Sequence, residues 1–353
     1  MSTDWAKRQS QAIDLLRFPM AVAVVVLHYG TTLINDATGA LRALCILFEE
    51  GVCRLAVPCF FFISGFLFFH GLQKWDWNRW KEKLERRVRT LLIPYILWIL
   101  IDFFVYWCYG LILGETVTLA DQFWKSGGLR IFWSVNGGLP ISVKGVPLNG
   151  PLWFIRDLMY FTIAAPLIYL FLSKAKYVGF IIMCIIFICI QGVIPEGLVF
   201  FITGAFLQIK EKNICELFWP RRTCLYILSL LFLAAACLLF NIPFWGRFVK
   251  NIFLFTGIGA IFCWATSLTG NVKANPFFIR SSFFIFATHE ILILRQIATP
   301  LIARMVPLTG PAWGCLRFFL IPSFTVCICL MLLLLMERLM PRETRLLIGK
   351  DRS

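Results

Sequence analysis

Apolar runs of about 20 residues recur along the whole chain, and they constrain its fold more than any other feature. An α-helix of that length crosses the hydrocarbon core of a bilayer. Hydrophobic residues make up 59% of the 353 residues and charged residues only 15%, which excludes an ordinary soluble protein. The sequence therefore predicts an all-α polytopic membrane protein in which residues 1–353 form a single transmembrane domain without a separate soluble domain. The ten apolar segments lie near 12–34, 52–70, 91–113, 151–172, 177–194, 197–209, 223–240, 249–268, 277–297 and 313–336.

The positions of Lys and Arg predict the orientation of these segments. With the N-terminus inside, the inside segments hold 22 of the 34 basic residues and the outside loops hold 7. Basic residues concentrate in cytoplasmic loops, so the count predicts about ten transmembrane helices with both termini in the cytoplasm. The same rule explains the net charge of +15 without a nucleic-acid partner. Segment 197–209 is short for a crossing, and a re-entrant hairpin with 177–194 is the alternative for it.

Three ionisable residues lie in the first apolar segment. Arg17 and His28 are eleven residues apart, which is three helical turns plus about 20°, so both lie on one face of the helix. Asp14 lies on nearly the same face, and Arg17 can pair with it near the cytoplasmic surface. About 16 Å of helix separates Arg17 from His28. His28 lies in the outer half of the span, where it needs a partner or water, and this makes it a candidate for proton transfer.

Other polar residues interrupt later apolar segments. His289 and Glu290 lie in the ninth segment, and Arg156 and Asp157 follow Trp153 in the fourth. One alternative is structural: a hydrogen bond between spans for His289 and a buried ion pair for Arg156 and Asp157. The other alternative is that these residues form the polar wall of a binding pocket. The 13 cysteines show no zinc-site spacing, so we predict no metal.

Four sequence patterns occur in an order and spacing that resemble a known family. Arg17 and His28 form an Arg-x10-His pattern, and FFFISGFLF begins at Phe60. RRVRTLLIPYILW contains Arg86 and Arg89, and PLWFIRDL begins at residue 151. Together these patterns resemble the membrane-bound acyltransferase-3 family, whose members O-acylate sugars of the cell envelope.

The resemblance implies an integral membrane O-acyltransferase of the bacterial inner membrane. Its donor would be a cytoplasmic acyl-CoA, usually acetyl-CoA, used as a substrate rather than as a permanently bound cofactor. Its acceptor would be a hydroxyl of an envelope glycan or a lipid-linked sugar, with transfer completed in this domain or by a partner. His28 would be the catalytic residue, as general base or transient acyl carrier. The resemblance also implies that Arg17, Arg86 and Arg89 bind the donor. If the polar residues of the later segments form a pocket wall, we expect the acceptor to bind there, at Trp153, Arg156, Asp157, His289 and Glu290.

Two other functions stay open from the sequence. A transporter of a small molecule, such as an amino acid or a sugar, would use the same polar cavity for alternating access. A sensor or assembly protein without chemistry would leave His28 unexplained.

Overall fold

The computed structural model describes residues 3–141, 144–306 and 311–349, and all regular structure in these ranges is helical. The all-α prediction is therefore confirmed. Three π-helical segments, Ile46–Gly51, Val88–Leu92 and His289–Ala298, join or extend the α-helices. The α-helices are α1 (Thr3–Leu33), α2 (Gly39–Cys45), α3 (Ala56–Phe68), α4 (Trp77–Arg87), α5 (Ile93–Ile112), α6 (Leu119–Lys125), α7 (Trp153–Ile163), α8 (Ala165–Cys189), α9 (Glu196–Ile209), α10 (Ile214–Phe218), α11 (Arg222–Leu238), α12 (Pro243–Leu268), α13 (Pro276–Thr288), α14 (Thr299–Met305), α15 (Pro311–Leu339) and α16 (Pro341–Leu347).

Several of these helices can cross a bilayer. Within the described ranges, seven helical stretches are long and apolar enough, and a bent pair, Pro276–Ile291 with Ile293–Met305, makes an eighth if it counts as one span. The polytopic membrane class is thus confirmed, whereas the count of ten spans and the cytoplasmic termini stay predictions. The seven stretches are Asp4–Leu33, Gly39–Phe68, Trp77–Ile112, Ala165–Cys189, Ile214–Leu238, Pro243–Leu268 and Ala312–Leu339.

The predicted break between the fourth and fifth segments is a kink rather than a loop. The range of α8 holds two helical stretches that meet at Lys176, whose φ of 48° and ψ of −138° are not helical. The segment predicted as short is α9, whose 14 residues extend about 21 Å. This length is less than the roughly 30 Å thickness of the hydrocarbon core.

The stretch Trp77–Ile112 is longer than a bilayer requires. Its 36 residues extend about 54 Å, against about 30 Å for the hydrocarbon core. The basic helix α4 forms its first part, so we place α4 outside the hydrocarbon and α5 within it. Asp76 caps α4, because its carboxylate accepts from the backbone N–H groups of Asn78 and Arg79.

The helices α3 and α9 pack closely through small residues. A Cβ atom on Gly65 would collide with the backbone carbonyl of Phe201, and one on Gly204 would collide with that of Phe62. Each helix therefore offers a glycine where the other helix's backbone passes, as membrane helices commonly do.

The first helix is at the centre of the bundle. It packs against α3, α12, α13 and α15, and Ala12, Leu16 and Ala21 are fully buried there. This position places the Arg17 and His28 side chains among other helices rather than against lipid.

We expect Gly65→Ala to destabilise the protein by about 1–3 kcal/mol, because the added methyl group forces α3 and α9 apart. Thermal unfolding in detergent measures the change. Gly110→Ala is the control, since its Cβ would meet only the movable carboxylate of Glu115, at 3.2 Å. Equal melting temperatures for the two variants would contradict the close packing of α3 and α9.

Candidate active site

A bend in the ninth apolar segment positions two of the predicted site residues. The helix changes direction by 59° between Pro276–Ile291 and Ile293–Met305, and a π-helical segment begins at His289. Such wide turns often occur at functional sites. The buried His289 ring is held in place, because its Nδ1 atom lies 2.9 Å from the carbonyl oxygen of Ile285 and 3.1 Å from that of Phe286. Carbonyl oxygens only accept, so Nδ1–H donates and Nε2 carries the lone pair.

His28 of α1 meets both residues at this bend. Its Nδ1 atom lies 3.3 Å from Oε2 of Glu290, and its ring centroid lies 5.1 Å from that of His289. The other carboxylate oxygen of Glu290 accepts a hydrogen bond of 2.5 Å from the Arg295 guanidinium. The side chains of His28 and Glu290 are 23% and 18% exposed, so solvent or a ligand can still reach them. A histidine with one nitrogen against a fixed carboxylate is arranged for proton transfer through the other nitrogen.

A cavity of about 260 Å³ lies among α1, α3, α7 and α13. Arg17 and Arg87 line it at one end, and Ser64 and Ser282 contribute hydroxyl groups to its wall. Phe154 and Phe286 also line it, with ring centroids 5.5 Å apart. His28, His289 and Glu290 are not among the residues that line it, and Phe286, about one helical turn before His289, is the lining residue nearest to them in the chain.

The basic residues at the arginine end differ in part from those predicted. Arg17 lines the cavity and pairs with Asp14, with Nε 3.6 Å from Oδ1, as its spacing in the helix predicts. Arg86 and Arg89 are exposed, and Arg87 between them is the half-buried arginine that lines the cavity. The donor-binding role of Arg86 and Arg89 stays a prediction.

The positive charge near the arginine end of the cavity is concentrated. Lys83 lies one turn before Arg87 in α4, outside the hydrocarbon core, and its ammonium group lies over the ring of Phe68. Burial, together with the guanidinium groups of Arg87, Arg86 and Arg79, lowers the pKa of Lys83 to about 8. A bound anion would offset this repulsion between like charges.

The three residues of α7 have other surroundings. Trp153 packs on Phe61, with ring centroids 6.1 Å apart. Arg156 and Asp157 are buried and form an ion pair of 2.7 Å. The Arg156 guanidinium also donates to the backbone carbonyl of Trp133 at 2.6 Å and to that of Gly145, which ties the long loop before α7 to the bundle. These contacts fit the structural alternative, and an acceptor-binding role for the three residues stays a prediction.

The cluster at the bend also has the composition of a metal site. One ligand atom from each of His28, His289 and Glu290 lies within 4.8 Å of the others, and two imidazoles with a carboxylate are common zinc ligands. The guanidinium group of Arg295 on the same carboxylate works against adding a divalent cation there. The absence of a metal stays a prediction.

Sequence reasoning missed several residues around this cluster. Asp102 of α5 is 2% exposed, and its carboxyl group is near enough to that of Glu290 for the two to repel each other. Asn149 donates from Nδ2 to the carbonyl oxygen of Ala287 at 3.0 Å. A Cβ atom on Gly150 would lie 3.3 Å from Oε2 of Glu290. The sequence could have indicated Asp102, because it is the lone carboxyl group in the apolar run ILIDFFV. No comparable sequence feature marks Asn149, which lies in a loop.

The fold and the site define a polytopic membrane protein with a histidine–carboxylate pair near an arginine-lined cavity, a class that includes both transferases and transporters. Comparison with protein families narrows the class. The profile of a family described as an acyltransferase domain, acyltransferase-3, matches residues 10–336. The chain belongs to this family, which confirms the resemblance in its sequence patterns and the prediction of an acyltransferase.

One relative has a described role. The succinoglycan biosynthesis protein ExoH of Rhizobium meliloti (strain 1021) is 30% identical over 178 residues. These residues are 47% of this chain and 44% of ExoH, so the match spans less than half of that relative's length. No solved structure matches the chain.

Proposed function

We propose that this protein is an integral membrane O-acyltransferase of the bacterial inner membrane that moves an acyl group, acetyl in the simplest case, from cytoplasmic acyl-CoA to a hydroxyl of an envelope glycan or lipid-linked sugar. The observation that carries the proposal is the contact of 3.3 Å between His28 and Glu290, near a cavity that Arg17 and Arg87 line. Family membership supports acyl transfer over transport.

The chemistry follows from the two nitrogens of His28. The Glu290 carboxylate faces Nδ1 of His28 and favours a proton there, so Nε2 carries the lone pair and takes the proton of the acceptor hydroxyl. The hydroxyl oxygen then forms a bond to the thioester carbonyl carbon, and the C–S bond breaks as the tetrahedral intermediate collapses. The CoA thiolate takes the proton from the imidazolium, which restores neutral His28. Arg295 fixes the carboxylate that orients the ring.

The two ends of the cavity suit the two parts of the donor. The phosphates of CoA need cations, and Arg17 and Arg87 supply them at the end that we predict to be cytoplasmic from the distribution of Lys and Arg. The pantetheine arm is neutral and flexible, and the cavity beyond the arginines is lined mainly by apolar side chains. About 16 Å of helix from Arg17 to His28 leaves room for an extended arm that brings the thioester to the histidine.

The acceptor class rests on the relative. ExoH is a succinoglycan biosynthesis protein, and its likeness to this chain supports a glycan acceptor here. The identity of the glycan, of the modified hydroxyl and of the acyl group is not implied by this likeness.

We expect His28→Ala to lower acyl transfer by about 10²–10⁴-fold, because a general base contributes that much to a rate. The assay uses the protein in proteoliposomes with labelled acetyl-CoA and extracted envelope glycans, and measures the label in the glycan. His70→Ala is the control, since His70 lies just after α3, beside Gln208, and outside the cluster. No transfer and no donor hydrolysis by the folded wild type would contradict the proposal for acetyl donors.

We expect Arg87→Gln to weaken acetyl-CoA binding by at least about tenfold even at 0.5 M salt, roughly the 1.4 kcal/mol of one charged contact. Arg86→Gln and Arg89→Gln should weaken it only at low salt, because exposed charges are screened beyond about 10 Å at 0.1 M. Titration calorimetry across a salt series measures the binding. If Arg86→Gln is as damaging as Arg87→Gln at high salt, the donor's phosphates lie on the exposed face of the helix instead.

A further inference from the structure

Three buried acceptor atoms near the bend lack a hydrogen-bond partner within the described part of the chain. They are Oδ1 of Asp102, Oδ1 of Asn149 and Nε2 of His289, and the three residues are 2%, 2% and 0% exposed. A buried polar atom without a partner loses its hydrogen bonds to water and gains none in return, so native proteins seldom keep one. Three such atoms in one region indicate that a ligand completes them.

The three atoms belong to residues that converge on the segment 287–291. Asn149 donates to the carbonyl oxygen of Ala287, and His289 lies two residues further on. On the opposite side, Tyr106 of α5 donates its hydroxyl proton to the carbonyl oxygen of Ile291 at 3.2 Å. Asp102 lies one turn before Tyr106, on the same face of α5. All of them therefore surround the stretch of backbone that presents Glu290 to His28.

The chemistry of the three atoms defines what can complete them. A carboxylate oxygen and an amide oxygen accept hydrogen bonds, and so does Nε2 of His289, since its Nδ1–H donates to backbone carbonyls. A ligand must therefore bring several donors. It must also be free of negative charge, because the Glu290 carboxylate would repel an anion. A group of neighbouring hydroxyls, as on a neutral sugar ring, meets both conditions, whereas a phosphate meets neither.

We propose that Asp102 and Asn149 are positioning residues that, together with His289, hold the hydroxyl groups of a neutral sugar unit of the acceptor beside His28. This inference rests on the proposed function, because it assigns the acceptor end of the same site. The two substrates then bind to groups of different chemistry. The arginines bind the anionic donor, whereas the three hydrogen-bond-accepting atoms bind the hydroxyl groups of the sugar. The hydroxyl to be acylated is then the one nearest the free nitrogen of His28.

The Asp102 carboxyl group also affects the stability of the free protein. A carboxyl group that serves a ligand rather than the fold leaves an uncompensated polar atom in the free protein. Replacing it by an apolar group of similar shape removes that cost. Asp102→Leu should therefore melt at the same temperature as the wild type or higher, while its use of the acceptor is impaired.

The experiment measures the apparent KM for the extracted envelope glycan and for acetyl-CoA in proteoliposomes, together with the melting temperature with and without glycan. In Asp102→Leu and Asn149→Ala we expect the apparent KM for the glycan to rise at least about tenfold, and that for acetyl-CoA to stay within about twofold. Asp102→Asn retains an acceptor oxygen and should recover part of the loss. The wild type should be stabilised by the glycan, and the first two variants should not be.

Asn251→Ala is the matched control for Asn149→Ala. Asn251 is also buried and also donates Nδ2 to a helix carbonyl at 3.0 Å, that of Phe187, but it lies away from the bend. An unchanged apparent KM for the glycan in both site variants, or an equal rise in Asn251→Ala, would overturn the proposal. The glycan could also raise the melting temperature of a wild type that transfers no label, with no such rise in either site variant. This result would contradict acyl transfer but support the sugar-binding site.

Discussion

The contact between His28 and Glu290 is the interaction on which the rest of the site depends. It joins the first helix, at the centre of the bundle, to the bent helix near the end of the chain. A histidine and a carboxylate are costly to bury in a membrane protein unless each finds a polar partner. Here Glu290 has two such partners, because His28 lies on one oxygen and Arg295 on the other. The pair is thereby oriented before any substrate arrives, as a catalytic base requires.

The bend makes this contact possible. A straight helix directs neighbouring residues about 100° apart, so His289 and Glu290 would not both approach one partner. The π-helical segment and the change of direction bring the ring of one and the carboxylate of the other to His28. The same bend exposes backbone carbonyls to Tyr106 and Asn149, which fasten α5 and the long loop to it. The bent segment therefore brings the residues of the site together, and contacts from α5 and the long loop hold it in place.

The sequence predicted the all-α membrane class and the position of Arg17 and His28 on one face of α1 for clear physical reasons, and it predicted the family from the order and spacing of its patterns. Apolar length and the distribution of charge are properties of single segments, and the spacing of Arg17 and His28 is a property of one helix. The meeting of His28 with Glu290 depends on a bend that periodicity does not show. That Arg87 rather than Arg86 or Arg89 lines the cavity depends on the rotation of α4 against the bundle. The roles of Asp102 and Asn149 depend on which buried atoms lack partners, and this is known only once every neighbour is placed.

The most direct test of the central claim is a double-mutant cycle on His28 and Glu290, measured as the rate of label transfer from acetyl-CoA to envelope glycan. If Glu290 acts through His28, Glu290→Gln alone lowers the rate, and the double variant His28→Ala, Glu290→Gln is no slower than His28→Ala. The account would be contradicted if the fold-loss of rate in the double variant equalled the product of the fold-losses in the two single variants. It would also be contradicted if Glu290→Gln were as fast as the wild type.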